Sequence, residues 1–247
     1  MARLTKPSVL FCLLTPMFVG VAMAQTPTAS DVPLLHYTTT WIGNSFGGTK
    51  TAGLRNRKHV QLDVRAMYVT TDGTCYTATG WDEDGSEIGI YRDGDVLGSA
   101  GHTHGWGYNG GNAVTASKDY LFFAQTVGNE GGGLKGADTW PAKGRVWYGI
   151  SRRRRDGSAA PFEGGKGGEG DTMRGVFLPI NDSAEGTNAE ITGLATDTQN
   201  HLFVSDPSNA QVKVYDAEKM TLLHSWRVAR PGALAVNSTG ELWVAQS

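Results

Sequence analysis

The most specific pair of chemistry-bearing residues is His102-Thr-His104. On an extended segment, residues i and i+2 point the same way, so the two imidazoles could grip one zinc or copper ion. Spacing supplies no third ligand, and the flanking Gly101 and Gly105 suit a solvated loop equally well. Asp82-Glu83-Asp84-Gly85 has half the pattern of a calcium loop. It lacks a third ligand position before the glycine, which makes a solvated acidic turn the simpler reading. Trp81 and Trp106 carry rings suited either to stacking on a sugar or to plugging gaps between sheets. Asp82, Glu83, Glu130 and Asp206 are the carboxylates available as a general base if a bound divalent cation polarises a carbonyl.

Other motifs read as structure. In the run Arg152-Arg-Arg-Arg155, strand alternation sends two side chains to each face, so a solvated outer strand is expected rather than an anion or polymer site. Gly164-Gly-Lys166-Gly-Gly168 is no phosphate loop, because neither a Ser or Thr after the lysine nor a flanking strand and helix is present. Cys75 is expected to be a small buried residue in a strand. Asn181-Asp-Ser183 and Asn237-Ser-Thr239 are formal glycosylation acceptors.

Residues 1–24 are an address. Arg3 and Lys6 precede an apolar run from Val9 to Val21, and Ala22-Met-Ala24 follows, the pattern of a secretory signal peptide. The run is too short to span a bilayer, which takes about 20 residues. Residues 25–247 then form the mature domain, secreted or periplasmic and without a membrane segment. Removing Arg3 and Lys6 takes the formal charge from −2 to −4, a balance that argues against nucleic acid as a partner.

The elements that must position these residues come in repeats. With 34 glycines in 247 residues, the chain is rich in turns. An apolar stretch, a tight polar turn and a second apolar stretch recur at Ala66–Ala78, Ala113–Ala124, Gly193–Ser205 and Ala233–Ala245. Each reads as a hairpin, with Asp-Gly, Lys-Asp, Gln-Asn or Thr-Gly in the turn. After the first three come further strand pairs, at 87–91 with 95–97, 145–150 with 173–178, and 211–215 with 221–226. Four antiparallel strands at this period make an all-β fold, a β-propeller of three full blades plus a partial one. Either the chain is part of a longer ring, the favoured reading, or residues 35–63 supply closing strands, with Leu35–Ile42 as the alternating candidate.

The third repeat has Ile191-Thr-Gly-Leu-Ala195, then His201-Leu-Phe-Val-Ser-Asp206-Pro, then Asn209-Ala-Gln-Val-Lys-Val-Tyr-Asp216. It resembles the NHL-repeat consensus and the gluconolactonase-like (senescence marker protein) propellers, which are usually six-bladed. The resemblance covers residues 191–245 and, more loosely, 64–98. Lactonases of that family hold a divalent cation with carboxylates and amides, but the resemblance assigns that set to no residues of this chain.

Chain reversal sorts the loops. Label the strands of a blade a to d from the axis outward: the a–b and c–d turns lie on one face, and the b–c turns and blade-to-blade passages lie on the other. The second set is long and aromatic, so Trp81, Asp82, Glu83, His102, His104, Trp106, Tyr108, Glu130 and Asp206 should share a rim. The polar residues Thr79, Gln125, Asp206 and Gln246, one after each b strand, should sit near the channel mouth. The expectation is an exported propeller binding a small polar ligand or carbohydrate on its long-loop face. The alternatives are a divalent-metal-dependent lactonase or related hydrolase, and a protein-interaction scaffold.

Overall fold

The structure, a computed structural model, describes residues 63–80, 88–93, 95–100, 108–128, 141–142, 144–167, 175–182 and 190–246. They form fourteen strands and one short 3-10 turn, Pro207–Asn209. Strands β1 (Val64–Val69), β2 (Cys75–Thr79), β3 (Ile88–Arg92) and β4 (Asp95–Ala100) make the first four-stranded sheet. The second is β5 (Tyr108–Ala116), β6 (Tyr120–Gly128), β7 (Val146–Arg154) and β8 (Phe177–Asp182). The third is β9 (Leu194–Thr196), β10 (His201–Asp206), β11 (Gln211–Asp216) and β12 (Leu222–Arg227). A hairpin of β13 (Pro231–Val236) and β14 (Leu242–Gln246) follows. Every sheet is an antiparallel meander in chain order, and consecutive sheets stack as blades of a propeller.

Burial explains why these strands read as nearly continuous apolar runs. In Leu121-Phe-Phe-Ala124, Leu121 and Phe123 turn toward the first blade and join Tyr76, Ile88 and Ile90. Phe122 and Ala124 turn the other way and join Leu194, Leu202 and Val204 of the third blade. The next junction repeats the scheme, with Phe203, Val212 and Val214 meeting Leu234, Val236, Leu242 and Val244 of the last hairpin. A strand buried on both faces needs apolar residues at both parities, not at alternate positions.

Local turn chemistry agrees. Gly73, Asn200 and Gly240 occupy the same position in three of the a–b turns, with φ of 79°, 68° and 87°, where glycine and asparagine are tolerated. Each outer strand carries one extra residue against its neighbour: Leu97 in β4, Ile180 in β8 and Leu223 in β12. Such bulges bend and twist the outermost strand.

Two expectations need correction. The arginine run is not a solvated outer strand: β7 extends to Arg154, and Arg152 and Arg153 are 4% and 1% exposed. Blade packing covers both faces of the strand at Arg152 and Arg153, and Arg154 reaches solvent because it stands at the strand's last position, not because of alternation. The fourth strand of the second blade runs Phe177–Asp182, later than expected, with Pro179 opposite Gly149 in this outermost position. One of the two formal glycosylation acceptors, Asn181, is buried in that strand.

Candidate functional site

The four a–b turns are built from side chains that bond their own backbone. In the third blade, Asp197 Oδ1 accepts from the N–H groups of Gln199 and His201 at 2.9 and 2.8 Å, and its Oδ2 lies 2.7 Å from His201 Nδ1. In the last hairpin, Asn237 Oδ1 accepts from the N–H groups of Thr239 and Glu241 at 3.0 and 2.9 Å. Ser117 Oγ accepts from the Tyr120 N–H at 3.1 Å, and Asp72 Oδ1 from the Thr74 N–H at 3.2 Å. These are Asx- and Ser/Thr-type turns, which fix the loop without help from outside it. The tips are left exposed and polar: Thr71, Lys118, Thr198 and Ser238.

The turns converge on a basin of about 710 Å³, walled by Thr70, Ser117, Asp119, Asp197, Asn200 and Asn237 among others, with Tyr68 and Arg155 also lining it. Its wall offers hydroxyls, carboxylates, an amide pair, two cations and one aromatic ring. That is a hydrogen-bonding surface for a polyhydroxylated molecule, in the size range of ligand clefts. No linear motif announces it, because each turn contributes only one or two residues. The recurring signal is a polar residue opening each turn, which in sequence reads as turn punctuation. The Asp197–His201 pair is likewise unannounced in sequence; its only trace is the spacing of four across a hairpin turn.

Of the residues expected on the long-loop rim, Trp81, Asp82, Glu83, His102, His104, Trp106 and Glu130 lie outside the described residues. So does the side chain of Tyr108. Asp206 is described, and it is fully buried. It accepts from Asn181 Nδ2 at 2.9 Å and from the Asn209 N–H at 3.2 Å, and Lys213 Nζ lies 2.6 Å away. Asn209 Nδ2 also bonds Asn181 Oδ1 at 2.9 Å, closing a network between the second and third blades. Burial, with Asp206 adding to it, pushes the neighbouring Tyr215 phenol far above its ordinary value. Asp206 thus acts in this structure as a strut between blades.

Its repeat equivalents differ. Thr79 and Gln125 are buried, and Gln246 is exposed and donates to the Ala229 carbonyl at 2.8 Å. Gln125 accepts from the Ser151 hydroxyl, and its Nε2 has no partner among the described residues. Cys75 is a free, half-buried thiol whose pKa burial raises, the opposite of what a nucleophile needs. Among the described residues no group of three His, Cys, Asp or Glu side chains is arranged to hold a metal ion.

No family model matches the chain, and no curated protein matches it. Among solved structures it is similar to the WD40 β-propeller domain of Doa1, at 12% identity over 73% of this chain and 46% of that one, with a TM-score of 0.38. It is similar to a gluconolactonase from Xanthomonas campestris at 15% identity over 74% of this chain and 56% of that one, TM-score 0.44. A luciferin-regenerating enzyme is similar at 14% identity over 76% and 57% of the two chains, TM-score 0.40. The chain spans about half the length of these structures.

Proposed function

We propose that the chain is an exported propeller of the NHL and gluconolactonase-like kind that binds a small polyhydroxylated ligand, a carbohydrate or similar polar molecule, where its a–b turns converge. The observation that carries this reading is the 710 Å³ basin, walled by hydroxyl, carboxylate and amide groups from all four inner hairpins. The turns are internally bonded, so the wall is set before a ligand arrives and little ordering cost falls on binding. The exposed tips Lys118, Thr198 and Ser238 are free to reach a ligand that fills the basin.

The test is calorimetry of the mature chain against glucose and against cello-, malto- and xylo-oligosaccharides. Binding should be saturable for at least one of them and weakened about tenfold in a Lys118→Ala, Thr198→Ala double variant that melts like the parent. Binding unchanged by that variant would move the site away from the short turns, and absence of binding to the whole panel would remove the carbohydrate reading. Hydrolysis of a sugar lactone that stops with chelator would replace it with the lactonase.

A further inference from the structure

A second cavity, of about 420 Å³, lies between the first blade and the loop that follows β7. Its floor is apolar, formed by Ile90, Leu97 and the ring of Tyr76. Its wall carries two guanidinium groups, Arg92 and Arg155, which come from different blades and meet at one carboxylate.

Arg92 Nη2 bonds Asp72 Oδ2 and donates to Thr74 Oγ1 at 2.6 Å. Arg155 Nη2 lies 3.4 and 3.5 Å from the two oxygens of the same Asp72. Arg155 Nε donates to the Tyr76 hydroxyl at 3.1 Å, and that hydroxyl donates to the Arg155 carbonyl at 3.1 Å, so the second guanidinium is held over the cleft by a buried tyrosine. Arg92 Nε is buried with no partner among the described residues. Two guanidiniums thus share one carboxylate through single or long contacts, where each could form a bidentate fork.

The charge count narrows the ligand. Asp156, the other acid among the described lining residues, has Oδ1 engaged by the N–H and hydroxyl of Ser158 at 2.9 and 2.6 Å, and these bonds, with Arg154 adding to them, lower its pKa and keep it charged. With Asp156 set against Arg154, Arg92 and Arg155 face Asp72 alone, which leaves a single positive charge among the described residues to neutralise. A dianion would place excess negative charge beside Asp72 and Asp156, whereas a monoanion balances the site.

We infer that this cleft binds a small organic monocarboxylate, its carboxylate on Arg92 and Arg155 and its apolar body on Ile90, Leu97 and the Tyr76 ring. Asp72 remains ionised beside it. The Thr70 hydroxyl and the Thr74 N–H, with Arg155 adding to them, hold its carboxyl far below the ordinary range. The resident carboxylate therefore competes with the ligand, and this competition sets the affinity. The cleft stands apart from the carbohydrate reading, although Arg155 borders both cavities.

The experiment is an NMR titration of the full mature chain with sodium phenylacetate as the probe, run beside phenylacetamide and inorganic phosphate. Phenylacetate should bind saturably, with phenylacetamide and phosphate each about tenfold weaker or worse. Arg92→Gln and Arg155→Gln should each weaken phenylacetate by about tenfold. Asp72→Asn, which frees both guanidiniums from their internal acceptor, should strengthen it severalfold, a gain that damage to the fold cannot mimic. Three results would overturn the assignment: no saturable binding to either the parent or Asp72→Asn, an amide or phosphate that binds as well as phenylacetate, or an Asp72→Asn affinity no higher than the parent's.

Discussion

The junction between the second and third blades and the junction between the first and second each use an arginine from the same four-residue run, to opposite ends. At the former, Arg152 is sealed in. Its Nε donates to the Ala160 carbonyl at 3.0 Å, Nη2 to the Pro161 carbonyl at 2.8 Å and Nη1 to the Glu218 carbonyl, and its guanidinium stacks 4.4 Å from the Tyr120 ring centroid and 5.0 Å from that of Phe162. At the latter, Arg155 hangs over an open cleft and shares Asp72 with Arg92. One cation holds the third blade's c–d turn to the second blade, while the other keeps donors to spare. The difference comes from position along the chain: Arg152 lies within β7, between packed blades, and Arg155 lies one residue past its end.

The largest effect should come from the closed junction. Asp206→Ala leaves Lys213, with its side chain only 16% exposed, without a counter-charge, and also strips Asn181 and Asn209 of their acceptor. Urea unfolding should show a loss of about 3–5 kcal/mol. Arg152→Ala comes next: it orphans carbonyls from both blades and should cost about 3 kcal/mol. Arg155→Ala at the open junction should cost about 1 kcal/mol or less, because its ion pair is long and solvated. Equal losses for Arg152→Ala and Arg155→Ala in the same urea series would erase the contrast.

How far this was legible differs between fold and site. The four hairpins and the outer pairs of the first and third blades were readable because turn chemistry and two-residue periodicity are local signals. The fate of the arginines was not readable. Whether Arg152 meets solvent or the Ala217–Glu218 turn is decided by a blade 65 residues away. Asp72 and Arg155 lie 83 residues apart, and only closure of the sheets brings them together. Pro179 and Asn181 look unlike strand residues, yet the outermost position of a blade accepts a missing N–H, which is why the sequence pattern alone puts β8 too early.

The smallest effect concerns acid. The folded-state pKa of Asp72 is depressed below its ordinary value of 3.8, so its contribution to stability is full above that value and lost as pH falls below it. Asp72→Asn should therefore flatten the acid limb of stability against pH below about pH 4 and leave the slope at neutral pH unchanged. Parallel acid limbs in parent and variant would mean that Asp72 is not held by Thr70, Thr74 and Arg155 in solution. At the closed junction, Arg152→Ala should leave the acid limb unaltered, since its partners are carbonyls.

Hydrogen–deuterium exchange of residues 25–247, with and without an oligosaccharide that binds, locates the site. Exchange should slow in all four a–b turns together, at 70–74, 117–120, 197–201 and 237–241. Protection confined to 81–87, 101–107 and 129–140, with those turns unchanged, would contradict that placement.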